Sequence, residues 1–149
     1  MKKLILVTLL VGASLIDLRA QTKFKIITTI ESIVPGGLGR SRIIENGTEI
    51  NYKEFTTQRT DGKDSDQGKI KREDAKVDKF AETKMLNFYS MVGINFQNIA
   101  SNDALITSIL EDITSKGWVL FTVVSGVESD AGKQDGDGLF ITRYIFKKG

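Results

Sequence analysis

From Lys23 to Val34 the chain puts Phe24, Ile26, Thr28 and Ile30 on one side of an extended backbone, with Lys25, Ile27, Thr29 and Glu31 on the other. β-branched residues dominate the run, which predicts a strand. Ile26, Ile27, Ile30 and Ile33 offer apolar groups to both sides, so the strand is expected inside a sheet rather than at its edge. Pro35-Gly36-Gly37 stops it, because proline has no amide hydrogen and paired glycines favour a turn.

Arg40 to Glu45 and Thr48 to Lys53 flank Asn46-Gly47, a dipeptide that accepts the positive φ angles of a type I′ turn. The spacing predicts a tight hairpin pairing Glu45 with Thr48, Ile43 with Ile50 and Ser41 with Tyr52. In that register Ile43, Ile50 and Tyr52 share one face and Ile44 points to solvent. Thr56 to Lys76 is charged and holds Ile70 as its one sizeable aliphatic side chain, so a mobile charged loop is expected over about 56–76. Residues 77–98 carry two patterns. Val77, Phe80, Ala81, Lys84 and Phe88 fit helical spacing, whereas Leu86 to Val92 looks extended, and a strand over about 85–92 is the reading adopted.

Leu105, Ile106, Ile109, Leu110 and Ile113 then repeat as a single helical face. The predicted helix runs from Asp103 to Lys116, with Asn102 as N-cap, an Asp112 to Lys116 pair one turn apart and Gly117 at the left-handed C′ position. Trp118 to Val124 and Leu139 to Lys147 predict two closing strands around a polar loop over Glu128 to Gly138. The expected fold class is α+β, an antiparallel or mixed sheet of about five or six strands with one main helix packed on one face. Trp118, Phe121, Phe140, Tyr144 and Phe146 are expected in the core beneath that helix.

The first twenty residues read as an address. Met1, Lys2 and Lys3 precede a thirteen-residue apolar run, Leu4 to Ile16, and Leu18-Arg19-Ala20 ends on a small residue. A signal peptide over 1–20 and a single mature domain over 21–149 are expected. Thirteen apolar residues fall short of the roughly 20 that cross a bilayer, so the chain is not read as membrane-spanning. Charge changes meaning with this cut. The 21 basic residues lose three and the 19 acidic residues lose one, leaving 18 of each, so the basic pI of about 8.8 gives no support to nucleic-acid binding.

The chain contains no Cys and no His. That removes disulfides, thiol nucleophiles, Ser-His-Asp triads and His- or Cys-ligated metals. Carboxylate, Lys, Tyr, Ser or Thr chemistry is left; of these the carboxylate pair is the one common in exported enzymes, and it normally needs a large cleft that a chain of this length hardly supplies. No enzyme activity and no cofactor are expected.

Two loops carry candidate binding residues. Gly36 to Arg42 has glycines that let backbone amides converge and arginines that add charged donors, which makes Gly37, Gly39, Arg40 and Arg42 candidates for an anion or an acidic side chain. The same composition also fits a plain strand connection. Asp135 and Asp137 are candidates in the second loop, but the residue at the fifth position is Leu139, and the run from Asp64 through Asp66 reaches Gly68, so neither matches an EF-hand and no metal site is assigned.

A helix running into Lys116-Gly117-Trp118-Val119-Leu120, then a strand, a loop and a closing Tyr144-Ile145-Phe146-Lys147-Lys148, resembles a widespread bacterial family of small domains of unknown function. Phe24 to Thr29 matches that family's opening strand, while residues from about 30 to 100 depart from its compact pattern. The leader is similar to those of proteins exported by Gram-negative bacteria. The resemblance implies a fold and a compartment, the periplasm or cell surface, and no catalytic residue. The expected function is that of a non-enzymatic exported domain acting through protein–protein contacts, as an accessory component of a bacterial envelope assembly. Its partner would be an envelope protein, with Thr56 to Lys76 and Gly36 to Arg42 as contact candidates. The alternative is a small-ligand or ion-binding module of the same compartment.

Overall fold

The computed structural model describes residues 21–33, 40–63, 65–128 and 138–149. Its strands are β1 (Lys23–Ser32), β2 (Arg42–Asn46), β3 (Phe80–Lys84), β4 (Tyr89–Ser90), β5 (Gly93–Ile94), β6 (Val119–Glu128) and β7 (Leu139–Lys148). Its α-helices are the single turn α1 (Arg72–Ala75) and the twenty-residue α2 (Phe96–Ser115). Five strands form one antiparallel sheet in the order β3-β2-β1-β7-β6, and β4 and β5 form a separate small hairpin. The fold is α+β, with α2 packed on one face of the sheet.

β1 lies at the centre, as its two apolar sides predict. It pairs with β7 from Lys23 opposite Lys148 to Ser32 opposite Leu139, and with β2 over Ile27 to Ile30. Residues directly opposite in a ladder share a face, so Ile27, Thr29, Ile43, Tyr144 and Phe146 all point toward α2. Ile27, Ile43, Phe146, Met85 and Ile113 are fully buried, with Ile106, Ile109, Leu110, Trp118 and Tyr144 packed around them. Lys25 and Glu45 stand on this same face and pair at its margin.

The helix face predicted from Leu105 to Ile113 is the face that meets the sheet, although Leu105 itself stays partly exposed. Its end also matches: Gly117 has φ +81°, Lys116 N donates to Ile113 O, and the Lys116 ammonium reaches Asp112 at 2.6 Å. Its start does not. α2 begins at Phe96, capped by Asn95, whose side chain accepts from Asn98 N at 3.2 Å, and Asn102 is a buried residue in the helix interior. Asn102 looks like a cap in sequence because a free amide side chain suits one; here its amide is consumed by the neighbouring segment.

The predicted 46–47 hairpin is absent. β2 ends at Asn46, and Gly47 does not adopt positive φ. Instead the Asn46 side chain closes an Asx turn by accepting from Thr48 N at 2.9 Å, and Thr48 Oγ1 donates to Lys79 O. The strand that pairs with β2 comes much later in the chain, Ile43 opposite Thr83 and Asn46 opposite Phe80. Ile50 and Tyr52 are exposed, and Tyr52–Phe55 is a 3₁₀ turn. The described residues of the 56–76 segment include two short turns, Asp66–Lys69 and α1, with no buried residue in either.

Residues 77–98 resolve into β3, the β4–β5 hairpin and the first turn of α2, so the strand expected over 85–92 begins and ends five or more residues earlier, at 80–84. Residues 85–88 are held outside a regular ladder by both backbone and side-chain hydrogen bonds. Met85 N donates to Ser41 O, Phe88 N to Ser32 O, and the Ser41 hydroxyl donates to Asn87 Oδ1 at 2.8 Å while accepting from Ser32 N.

Candidate interaction surface

α2 lies over β1, β2 and the adjoining part of β7, and it leaves β6 uncovered. Leu120, Val123 and Val127 point to the helix side of the sheet by their pairing with Phe146, Tyr144 and Phe140. All three are exposed, Val127 at 62 %. On the opposite side, Val119, Phe121 and Val124 are exposed as well, alongside Phe24 and Ile26 of β1. β6 therefore shows apolar side chains on both faces.

A register shift between Leu120 and Thr122 sets Phe121 out of the ladder. Its ring meets Phe24 edge-on with centroids 6.2 Å apart, and the Lys147 ammonium lies 4.9 Å from its centroid. The expectation that Phe121 belongs to the core is thus corrected: it is 55 % exposed in an aromatic and cationic cluster on the open face. Phe140 is exposed too, against Phe88, whereas Phe146 is buried and Trp118 and Tyr144 are half-buried, as expected. The edge of β6 itself borders a shallow groove of about 420 Å³, lined by Val124 to Glu128 with Ile141 and Arg143.

A second apolar projection is the β4–β5 hairpin. Met91 and Val92 form its two-residue turn and are almost wholly exposed, with Ile94 and Phe96 exposed beside them. Turns are ordinarily built from Gly, Asn, Asp and Ser.

Of the residues singled out from sequence, Arg40 and Arg42 are the two that the structure describes. Gly37, Gly39, Asp135 and Asp137 lie outside the described residues. Arg40 is exposed, and Arg42 sits in β2 on the open face of the sheet, where its guanidinium lies 3.7 Å from the Glu82 carboxylate. Among the described residues no group of three or more acidic side chains is placed to hold a metal ion. No helix among them is long and apolar enough to cross a membrane.

Glu31 of β1 and Tyr144 of β7 lie near Asn102 and Asp103 of α2. Burial raises the Glu31 carboxyl above its ordinary value; a hydrogen bond from Asn102 opposes the shift and the Asp103 charge adds to it. Burial likewise raises the Tyr144 phenol, helped by Glu31 and Asp103 and opposed by the neighbouring Thr29 hydroxyl. Asp103 is exposed, so these two acids do not make a buried catalytic pair.

The sequence pattern predicts β6 as a strand but not its exposure. A run such as Val119 to Val124, apolar on both sides, reads as a strand covered on both faces, and only the strand order puts it at the margin. The exposed Met91-Val92 turn carried a usable signal in Gly93, which has φ +119° and closes the hairpin. No protein-family model matches this chain, and comparison with curated proteins and with solved structures likewise finds no match.

Proposed function

We propose that this protein is an exported, non-enzymatic domain that acts through protein–protein contacts, as an accessory component of a bacterial envelope assembly. The observation that carries the reading is β6, a ten-residue strand at the sheet margin with exposed apolar side chains on both faces. Contiguous apolar surface at a free strand edge is costly in water and marks a place where another chain binds. The Met91-Val92 turn offers a second contact of the same character. Export rests on the leader over 1–20, and the balanced charge of residues 21–149 favours a protein partner over nucleic acid.

The test is photo-crosslinking in cells. A crosslinking residue at Phe121 or Met91 is expected to trap discrete envelope proteins, and one at exposed Lys69 is not. Equal trapping at all three positions, or none at Phe121 and Met91, would remove the basis for this reading. N-terminal sequencing of the periplasmic form is expected to begin at Gln21, and a full-length cytoplasmic form would overturn export.

A further inference from the structure

The two margins of the sheet are built differently. β3 is five residues long and carries Glu82 and Lys84, the charged, short form that keeps a free edge from pairing. β6 is ten residues long and has no charged side chain before Glu128. It lacks proline, and it exposes Val119, Phe121 and Val124 on one face and Leu120, Val123 and Val127 on the other. Such an edge satisfies its outward amides and carbonyls by adding a strand.

We infer that the partner at this edge is a second copy of the same chain, joined by antiparallel pairing of β6 with β6 about a two-fold axis at the middle of the strand. This rests on the protein-contact reading above and names the partner at that site. Charge complementarity favours a copy. Glu128 and Lys147 stand on the same open face of the sheet at opposite ends of β6, Glu128 opposite Leu139 and Lys147 opposite Val119. Two-fold antiparallel pairing brings the Glu128 of each copy toward the Lys147 end of the other, so the favourable contact is made twice.

The side chains agree. An isologous pairing sets Leu120 of each copy toward Val127 of the other on the helix side, and a lone extended peptide would leave much of that surface wet. α2 leaves room for it, because its packing partners Ile27, Ile43 and Phe146 draw it away from β6. Pairing of β6 with the β3 edge of another copy would instead set an uncharged strand against Glu82 and Lys84 and would propagate into a filament. The β6 pairing closes on itself.

Sedimentation equilibrium on the purified protein, processed from the full chain, tests this. The wild type is expected to be a dimer at tens of micromolar. Val123→Lys places a charge at the pairing edge, where the monomer tolerates it because Val123 is exposed; it is expected to sediment as a monomer with unchanged circular dichroism. Glu128→Lys and Lys147→Glu are each expected to weaken association by about tenfold or more, and their equimolar mixture to regain wild-type association, since both cross-contacts are then restored. A wild type that stays monomeric at every concentration overturns self-pairing, as does a Val123→Lys dimer of undiminished strength or a mixture no tighter than its components. A monomeric wild type that still crosslinks through Phe121 to other envelope proteins overturns the homodimer alone. A monomer without such crosslinks overturns the protein-contact reading as well.

Discussion

Asn102 holds Leu86 through both ends of its amide: Leu86 N donates to Asn102 Oδ1 at 2.9 Å, and Asn102 Nδ2 donates to Leu86 O at 2.7 Å. A helix side chain thus does for residue 86 what a neighbouring strand would do, and Asn98 Nδ2 extends the clamp to Asn87 O. Asn102 is fully buried, so its removal strands polar groups on both sides. Asn102→Ala is expected to cost about 2–3 kcal/mol despite alanine's better helix propensity. Urea unfolding measures this, and a loss under about 0.5 kcal/mol would show that water replaces the amide at no penalty.

Glu31 makes stability depend on pH in the opposite sense to a salt-bridged acid. Its carboxyl is raised from 4.5 by burial, with Asp103 adding to the shift and the Asn102 hydrogen bond opposing it. The folded state therefore binds the proton more tightly than the unfolded state. Between the ordinary value and the raised one, stability falls as pH rises, and the full penalty is present above the raised value. Glu31→Gln keeps an acceptor for Asn102 and removes the charge. Its melting temperature is expected to exceed that of the wild type at neutral pH, with the gap closing as pH falls from the raised value toward 4.5. A gap that stays constant or widens toward acid would contradict the burial argument.

What the sequence made legible, it did through short-range periodicity. β1, β6, β7 and the inner face of α2 each carry their pattern within one element, and those elements stand where they are expected. The failures are places where a distant partner replaced a local one. Asn46-Gly47 has good turn chemistry, yet β2 gains more from Ala81 and Thr83, which extend the buried Ile43 face toward Met85, than from an exposed strand at 48–53. Asn102 carried a cap signature but serves residue 86. The exposure of β6 depends on strand order, which no local pattern encodes. Four of the candidate loop residues, Gly37, Gly39, Asp135 and Asp137, lie outside the described residues, and Arg42 is occupied with Glu82.

Thr29 places a hydroxyl in the core, beside the Tyr144 phenol, with no hydrogen-bond partner among the described residues. The residue is 1 % exposed and lies opposite Thr142 on β7 and Ile43 on β2. Valine has the same branched shape and suits a strand at least as well. Thr29→Val is expected to stabilise the domain by about 1 kcal/mol, because it removes a desolvated polar group that gains nothing in the fold. Thermal melting checks this. Destabilisation would mean that the hydroxyl is satisfied in solution by a buried water or by Tyr144.

Gly126 lies within β6 and Gly138 immediately precedes β7, and the same substitution separates the two. A Cβ on Gly138 would lie 2.7 Å from the backbone oxygen of Glu128 and 3.7 Å from Ile33 Cδ1, so a methyl group there forces the two strands apart where they meet. The carbonyl belongs to the ladder and cannot swing aside as a side chain would. A Cβ on Gly126 meets nothing within 4 Å, and its backbone does not adopt positive φ. Gly138→Ala is therefore expected to destabilise the fold by about 1–3 kcal/mol through overpacking. Gly126→Ala is expected to be neutral or to stabilise by up to about 1 kcal/mol, since alanine restricts the unfolded chain and fits a strand as well as glycine does. Chemical denaturation of the two variants side by side decides the matter. Equal losses at both positions would show that the cost comes from the substitution itself and not from the close approach at Gly138.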